Sequence, residues 1–532
     1  MIKVDRYFNT AGPISYDIHY YVPPLERFDL EEMEDLLAQR KYFVLHAPRQ
    51  TGKTTCMLAL RDYLNESGDY LAVYSNIEVA QTTRDDVESG ARVICQSIAS
   101  DIDDVVGGDG FIKLASTIFD DFQPEAAIEE FLSEWAKRAG KPTVLFLDEV
   151  DSLAGGTLVT LLRQLRAGYG KRPSAFPSSV VLCGLRDVRD YRINTSGGDI
   201  ILGGSCFNIK AESLRLGDFT FDEVKALLGE HTKTTGQVFE SKAVERIWCL
   251  TNGQPWLVNA LAYEAAWKFK EYRKDRTKPI TELTIDKAKE VLVDRGDTHI
   301  DQLADKLREE RVRDVIEPIV ACESWQEFAD DSLQYCIDLG LVKREKSRIS
   351  VANPIYAEVL PRQLNQSLEL NFGSLYRSAS YVAADGSLQM SKLLEAFQQF
   401  FRENSEWTDL VAYKEAGHQL LLQAFLQRIV NGGGMIEREY GLGRGRTDLF
   451  LRWPLGESLQ VGEPTQRVLI EIKMLRQKKT LDGIIKEGLS QTAAYVDGCG
   501  AEEAHLVIFD VRPERSWDDR IFCRQEECDG KS

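Results

Sequence analysis

No apolar run in the 532-residue chain approaches the length of a membrane span, so no transmembrane helix and no membrane partner are expected. The opening stretch, MIKVDRYFNT, has no apolar signal core, and a cytoplasmic protein is expected. None of the ten cysteines forms a CxxC pair, which argues against a disulfide framework or a zinc site. Cys523 and Cys528 are the closest pair; buried or free thiols are the preferred reading, and a shared metal the minor one. Low-complexity segments and internal repeats are absent. Positive charge is scarce: the net charge of −19 argues against whole-surface binding to nucleic acid. It leaves room for a local basic groove, for instance along MLRQKKTLDGIIK (Met474 to Lys486).

At 43% hydrophobic and 28% charged residues the composition is that of ordinary globular protein. The length exceeds what one core supports, and about two to four domains are expected.

The first chemical signal is YFVLHAPRQTGKTT, Tyr42 to Thr55. An apolar strand runs into a short loop, and a helix starts at Lys53. This is the phosphate-loop layout, in which backbone N–H groups and a helix N-terminus wrap phosphates. The loop residues are Ala47, Pro48, Arg49, Gln50, Thr51, Gly52, Lys53, Thr54 and Thr55. Lys53 is expected on the outer phosphates and Thr54 on Mg²⁺. Ala47 stands where the pattern usually has glycine. The second signal is TVLFLDEVDSL, Thr143 to Leu153. Its continuous apolar run reads as a buried parallel strand, and ligands sit at the carboxyl ends of such strands. Asp148 is therefore expected in the Mg²⁺ shell, and Glu149 beside the attacking water. A third strand, in SSVVLCGLRDVRDY, ends at Arg186. That cation is either a reader of the γ-phosphate or the salt-bridge partner of Asp187 or Asp190.

These motifs resemble the AAA+/STAND class of ATPases, in particular bacterial AAA-like proteins that begin RYFNTAGP and carry LHAPRQTGKT. The resemblance implies ATP as ligand, Arg186 as nucleotide sensor, and Gly253 and Pro255 of LTNGQPWLVNAL as the turn that closes over adenine. LLRQLRAGY offers Arg163 and Arg166 as fingers for a neighbouring subunit, against the commoner reading of helical surface arginines, and a homo-oligomer is expected.

Farther on, SLQYCIDLGLVKREKSRISVANP reads as a helix, a stop at Gly340 and two short strands, the layout of a winged helix. Its wing residues Lys343, Arg344, Lys346 and Arg348 suit either DNA phosphates or solvent, and a regulatory lid is the preferred reading.

Near the end, VLIEIKM (Val468 to Met474) carries Glu471 and Lys473 two residues apart, hence on one strand face. Asp448 opens the apolar segment of the preceding strand. Two carboxylates from adjacent strands suit Mg²⁺ or Mn²⁺, with Lys473 placed to orient water or stabilise developing charge; Glu471 and Lys473 taken alone read rather as a surface pair on the solvated face of an edge strand. With Glu415 on a preceding helix and Gln491 and Tyr495 in QTAAY after it, the set resembles the PD-(D/E)XK nuclease superfamily, RecB-like branch. Thr447 replaces the proline of the pattern, and Glu415 has an alternative reading as a first-turn carboxylate favoured by the helix dipole. The resemblance implies that Glu415, Asp448, Glu471, Lys473, Gln491 and Tyr495 form a nuclease site acting on nucleic acid, DNA in the first place.

The expected architecture is multidomain α/β. Residues 1–215 form a P-loop AAA+/STAND ATPase core, 216–290 a helical lid, and 291–365 a winged-helix-like domain. Residues 366–390 form a linker and 391–532 a PD-(D/E)XK α/β nuclease fold. The leading functional expectation is an ATP-regulated nuclease, by analogy of architecture a defence against foreign DNA. The alternative is a STAND-type signalling or scaffold ATPase whose C-terminal domain binds without cutting.

Overall fold

The computed structural model describes residues 6–187, 192–194, 200–202, 207–295, 305–320, 328–345, 348–364, 381–383, 385–403, 422–423, 425–426, 435–442, 445–455, 464–475, 480–510, 512 and 522–526. Glu415, Asp190 and Lys346, and most of the expected linker, lie outside them. The chain divides into two compact units. The first comprises Met1–Leu292 and Leu333–Val342; the second comprises Val293–Ser332 and Lys343–Ser532.

The first unit opens with two short paired strands, β1 (Tyr7–Phe8) and β2 (His19–Tyr20). Then follow α1 (Leu30–Ala38), β3 (Tyr42–His46), α2 (Lys53–Ser67) and β4 (Leu71–Asn76). Three helices, α3 (Val87–Val106), α4 (Gly110–Asp121) and α5 (Pro124–Arg138), lead to β5 (Thr143–Asp148). Next come α6 (Gly155–Gly168), β6 (Ser179–Gly184), the paired β7 (Arg192–Asn194) and β8 (Ile200–Leu202), and β9 (Lys210–Arg215). Strands β4, β5, β6, β3 and β9, in that order, make one parallel sheet.

The period-2 pattern of these strands divides their side chains between two cores. Tyr42, Val44, Leu145, Leu147, Val180 and Leu182 pack with α3 to α6. Phe43, Leu45, Val144, Phe146, Val181 and Cys183 pack with α1 and α2 on the other face. A sheet covered on both faces needs apolar residues at every position, and this is why its strands carry no alternation. The sheet order brings the carboxyl ends of β3, β6 and β5 side by side, so the loops after them meet.

After the sheet come α7 (Phe221–Thr235), α8 (Ser241–Thr251), α9 (Pro255–Tyr263) and α10 (Lys270–Lys274). Thr220 and Glu223 close a reciprocal capping box on α7. The helix α11 (Glu282–Arg295) follows, then α12 (Glu310–Val320) and α13 (Asp330–Asp338). Gly340 ends α13 with φ +75°, as its position after a helix favours. The strands β10 (Val342–Glu345) and β11 (Arg348–Val351) form a two-stranded sheet, and α14 (Pro354–Leu364) follows. Lys343 in this hairpin pairs with Glu345 at 2.7 Å.

In the second unit, α15 (Met390–Glu403) precedes β12 (Met435–Leu442), β13 (Gly445–Pro454), β14 (Thr465–Leu475), α16 (Leu481–Cys499) and β15 (Glu503–Asp510). The sheet order is β12-β13-β14-β15, antiparallel except for the parallel pair β14 and β15. A parallel pair needs a crossover, and α16 supplies it. Leu449, Leu451, Val468, Ile470 and Ile472 pack with Leu393, Phe397 and Phe400 of α15. The opposite face of β14 holds Glu471 and Lys473.

Candidate functional sites at two sheet ends

The loop between β3 and α2 is bent by Gln50 (φ +58°) and Gly52 (φ +92°), both left-handed. The left-handed backbone at Gly52 favours glycine, and a Cβ there would lie 2.9 Å from the Arg27 guanidinium and push it aside. Arg27 donates to the carbonyls of Thr51 and Gly217 and stacks 4.6 Å from the Phe219 ring, clamping the loop from outside. The Lys53 ammonium donates to the Ala47 and Pro48 carbonyls at 2.9 and 3.0 Å. It is thus folded into the concavity that phosphate oxygens would fill.

Thr54 Oγ1 donates to Asp148 Oδ2 at 2.7 Å, and the Tyr74 hydroxyl donates to the same oxygen at 2.9 Å. The backbone N–H of Glu149 donates to Asp148 Oδ1. A hydroxyl and a carboxylate in contact beside a phosphate loop are a donor set that fits Mg²⁺ with retained waters. Glu149 follows in a left-handed conformation, φ +57°, uncommon for a residue with a side chain. Burial, and then the charges of Asp151 and Asp148, push its carboxyl above the usual range.

Arg186 lies just beyond β6, between these two loops. Its Nε donates to Asp338 Oδ2 at 3.0 Å, and both side chains are buried. Of the two local partners expected, Asp187 pairs with Lys210 at 2.5 Å, and Asp190 is outside the described residues. Gln334 donates to the other oxygen of Asp338 at 2.9 Å, and the Arg186 guanidinium stacks 5.0 Å from the Tyr335 ring. Arg215 donates to the Ile337 carbonyl. A Cβ on Gly340 would lie 2.8 Å from Pro48. The segment Leu333–Val342 therefore rests on the phosphate-loop end of the sheet, with Asp338 on Arg186. Arg163 and Arg166 stand exposed on α6.

A cavity of about 110 Å³ opens beside the loop, lined among others by Asn9, Thr10, Thr51, Pro255, Trp256 and Asn259. Gly253 has φ +81°, and a Cβ there would collide with the Phe219 carbonyl at 2.0 Å. Gly253 accepts from the Phe219 N–H at 2.8 Å, which fixes the turn that aims Pro255 and α9 at the cavity. Trp256 Nε1 donates to the Thr10 carbonyl at 2.9 Å, and the Ile14 N–H donates to Thr55 Oγ1 at 3.3 Å. The stretch Asn9–Ile14 is thereby strung between α9 and α2. The Asn259 amide donates from Nδ2 to the Pro255 carbonyl at 2.8 Å, and its Oδ1 is buried with no hydrogen-bond partner. That bond orients the amide, since a flipped group would set oxygen against oxygen. The lone acceptor suits the exocyclic amino group of adenine and opposes the carbonyl of guanine. Asn259→Ala is expected to reduce a preference for ATP over inosine triphosphate, about tenfold in the wild type, towards unity. Calorimetric titration of both nucleotides checks it.

At the second sheet, Lys473 Nζ donates to Glu471 Oε1 at 2.7 Å, and the Glu471 side chain is 5% exposed. Leu449 pairs with Ile470 across the antiparallel β13 and β14. Asp448 and Glu471 are the next residues along each strand beyond that pair; the Asp448 side chain is outside the described set. Glu471 is also the register partner of Leu506 in β15, whose side chain lies 2.6 Å from where a Cβ on Gly488 would be. Paired strand positions share a face, so α16 covers the face that carries Glu471. Gln491, one turn beyond Gly488, has a buried Oε1 with no hydrogen-bond partner. Tyr495 lies on the same helix, partly buried. Among the described residues no cluster of three metal-ligating side chains occurs.

Sequence motifs assign no role to Arg27, Tyr74, Asn259 or Asp338. Arg27, Tyr74 and Asp338 act through partners far away in sequence, and Asn259, although within LTNGQPWLVNAL, gains its role only from the cavity that the fold sets beside it.

Residues 37–191 match the family described as AAA domain. The chain therefore carries an AAA-type P-loop ATPase core. No curated protein matches the chain. Among solved structures, the Walker-type ATPase of Pyrococcus abyssi is similar at 14% identity and TM-score 0.44, covering 66% of this chain and 99% of that one. The Aeropyrum pernix ORC2 protein is similar at 15% identity and TM-score 0.36, over 65% and 96% of the two chains. Thermotoga maritima RuvB, a Holliday junction branch migration motor, is similar at 15% identity and TM-score 0.33, over 63% and 96%. Among the described residues no helix is long and apolar enough to cross a membrane.

Proposed function

We propose that the chain is an ATP-driven switch that governs a metal-dependent nuclease in its second unit, acting on nucleic acid and DNA in the first place. The observation that carries the nuclease reading is the buried Glu471 carboxylate held by Lys473 on β14, with Asp448 the next residue beyond the Leu449–Ile470 pair on β13. A buried charge pair with no task costs desolvation that an apolar pair would avoid. The helix–three strands–helix–strand order of α15 to β15 is compatible with the PD-(D/E)XK pattern, and the partnerless Gln491 Oε1 is available on the helix that covers the same face.

When bound between Asp448 and Glu471, Mg²⁺ or Mn²⁺ would supply an acidified water and neutralise phosphate charge. Lys473 would orient that water and stabilise the charge that develops on the phosphate. Gln491 and Tyr495 would hold the site's polar groups in register, with Glu415 as a further carboxylate. In the ATPase core, Lys53 would bind the outer phosphates, Thr54 and Asp148 would hold Mg²⁺, and Glu149 would take the proton of the attacking water. Arg186 would read the γ-phosphate once released from Asp338. Arg163 and Arg166, exposed on α6, would serve a neighbouring copy in a homo-oligomer. Defence against foreign DNA is the role that such a pairing of activities would suit.

The test is the purified chain with linear and circular DNA, Mg²⁺ or Mn²⁺, and ATP, ADP or no nucleotide. Metal-dependent cutting that changes with the nucleotide is expected. Absence of cutting, together with no Mn²⁺ uptake by calorimetry, would leave the signalling or scaffold ATPase as the better reading.

The switch makes a separate prediction. Asp338→Ala removes the buried carboxylate to which Arg186 Nε donates, which costs about 3 kcal/mol where one partner of a buried pair is removed. The nucleotide-free protein is expected to melt at lower temperature, and ATP to restore more of the loss than ADP does. Thermal melts with each nucleotide read this directly. Equal restoration by ADP would show that Arg186 does not sense the γ-phosphate.

A further inference from the structure

One stretch runs against the charge of the chain. The protein is at −19, yet Lys268 to Lys278 (KFKEYRKDRTK) holds six lysines and arginines against Glu271 and Asp275. Lys268, Lys270, Arg273, Lys274 and Lys278 are all exposed. The two carboxylates do little to neutralise them: Asp275 is taken up by Thr277, and Glu271 approaches Lys278 only at 3.8 Å. Among the described residues, Lys268, Lys270, Arg273 and Lys274 make no ion pair. Cations set this densely repel one another, and a surface without use for them would intersperse both signs.

Lys268, Arg273 and Arg276 gather on aromatic rings, and Lys270 and Lys274 lie one turn or one residue from Arg273 on the same short helix. Tyr263 and Trp267 are stacked, with ring centres 6.4 Å apart and planes 15° from parallel. Tyr7 leans on both, at 6.0 and 5.7 Å. The Arg273 guanidinium lies 4.1 Å over the Trp267 ring, Arg276 lies 6.0 Å from it, and Lys268 lies 5.7 Å from the Tyr263 ring. Both rings are partly exposed. The backbone departs from a regular helix here: Glu264–Lys268 is a π-helical turn, a form that recurs at functional sites.

Cations that follow a phosphate chain, combined with ring faces on which bases stack, are what single-stranded nucleic acid requires of a surface. An anionic membrane would require the cations beside apolar side chains free to insert. The rings of this stretch are not free to insert: Phe269 and Tyr272 pack on each other, the Tyr272 oxygen accepts from Thr284, and Tyr263 and Trp267 are held in a stack under Arg273 and Lys268.

We propose that this face, built on Tyr263, Trp267, Lys270, Arg273 and Lys274, binds a single strand of nucleic acid, its phosphates on the cations and an unstacked base on the rings. The proposal rests on the reading that nucleic acid is the substrate, and adds where the ATPase unit itself would hold it. The strand need not be destined for cutting.

The experiment is fluorescence anisotropy with a labelled single-stranded DNA across a salt series, on the full chain. A combined Lys270→Ala, Arg273→Ala, Lys274→Ala variant is expected to bind about tenfold or more weakly. Its slope of log affinity against log salt should be shallower by about 2, as loss of three phosphate contacts on a single strand gives. Trp267→Leu should weaken binding about tenfold and leave the slope unchanged. ATP turnover and melting temperature, measured on the same preparations, register any loss of fold. Wild-type chain that binds no DNA would overturn this proposal and the nucleic-acid reading together. Wild-type binding that the triple variant reproduces in affinity and slope would overturn this proposal alone. So would a triple variant that loses affinity for phosphatidylserine vesicles while keeping its affinity for DNA.

Discussion

Glu149→Gln is expected to bind ATP as the wild type does and to hydrolyse it about 10²–10⁴-fold more slowly, the range that a positioned general base contributes. The substitution preserves shape at a position where shape is demanding. Glu149 holds a left-handed backbone at the end of β5, and its N–H is committed to Asp148. Glutamine keeps both features and removes only the ability to accept a proton. Asp148, whose oxygens already serve Thr54 and Tyr74, is not free to replace it. Phosphate release gives the rate, and calorimetry gives the affinity. Turnover at the wild-type rate in the variant would take the base assignment away from Glu149 and direct attention to Asp151, which accepts from the Leu185 N–H nearby.

The second large effect is expected at β14. On the proposed nuclease reading, Lys473→Met should reduce DNA cutting at least about 10²-fold, because it removes the cation that would stabilise charge developing during reaction. Methionine retains the length and much of the packing of the lysine stem, so the loss concerns charge. It also leaves Glu471 buried without its ammonium, and a melting temperature measured in parallel reports that cost. Asp448→Ala should abolish cutting with less change in melting. Nicked and linear DNA resolved on a gel give the rates. Cutting that survives in both variants would remove the nuclease from the second unit.

What could be read from the chain alone follows a physical rule. The phosphate loop, Asp148 and Glu149 are legible because a buried parallel strand is a continuous apolar run and the chemistry sits within a few residues of its end. The strand carrying Glu471 and Lys473 is legible because period 2 sorts four residues between two faces, and Ile470 and Ile472 do lie in the core. Arg186 was legible as a charge at a strand end, but its partner was not. Asp338 is 152 residues away, and the nearer Asp187 is drawn off by Lys210. Arg27 and Tyr74 are likewise ordinary residues of their segments. What they do depends on which loop the fold brings to them, and local pattern carries no record of that.

The chain leaves its first unit at Leu292, returns for Leu333–Val342, and leaves again. A truncation placed after the last sheet-side helix would therefore discard the decapeptide that shields Arg186 and abuts Pro48. Such a fragment would expose a guanidinium and an apolar seam that the intact polypeptide keeps dry, and poor solubility or unregulated turnover in it would say little about the parent enzyme. Anyone dissecting this molecule should graft residues 333–342 back by a short tether, or keep the chain whole.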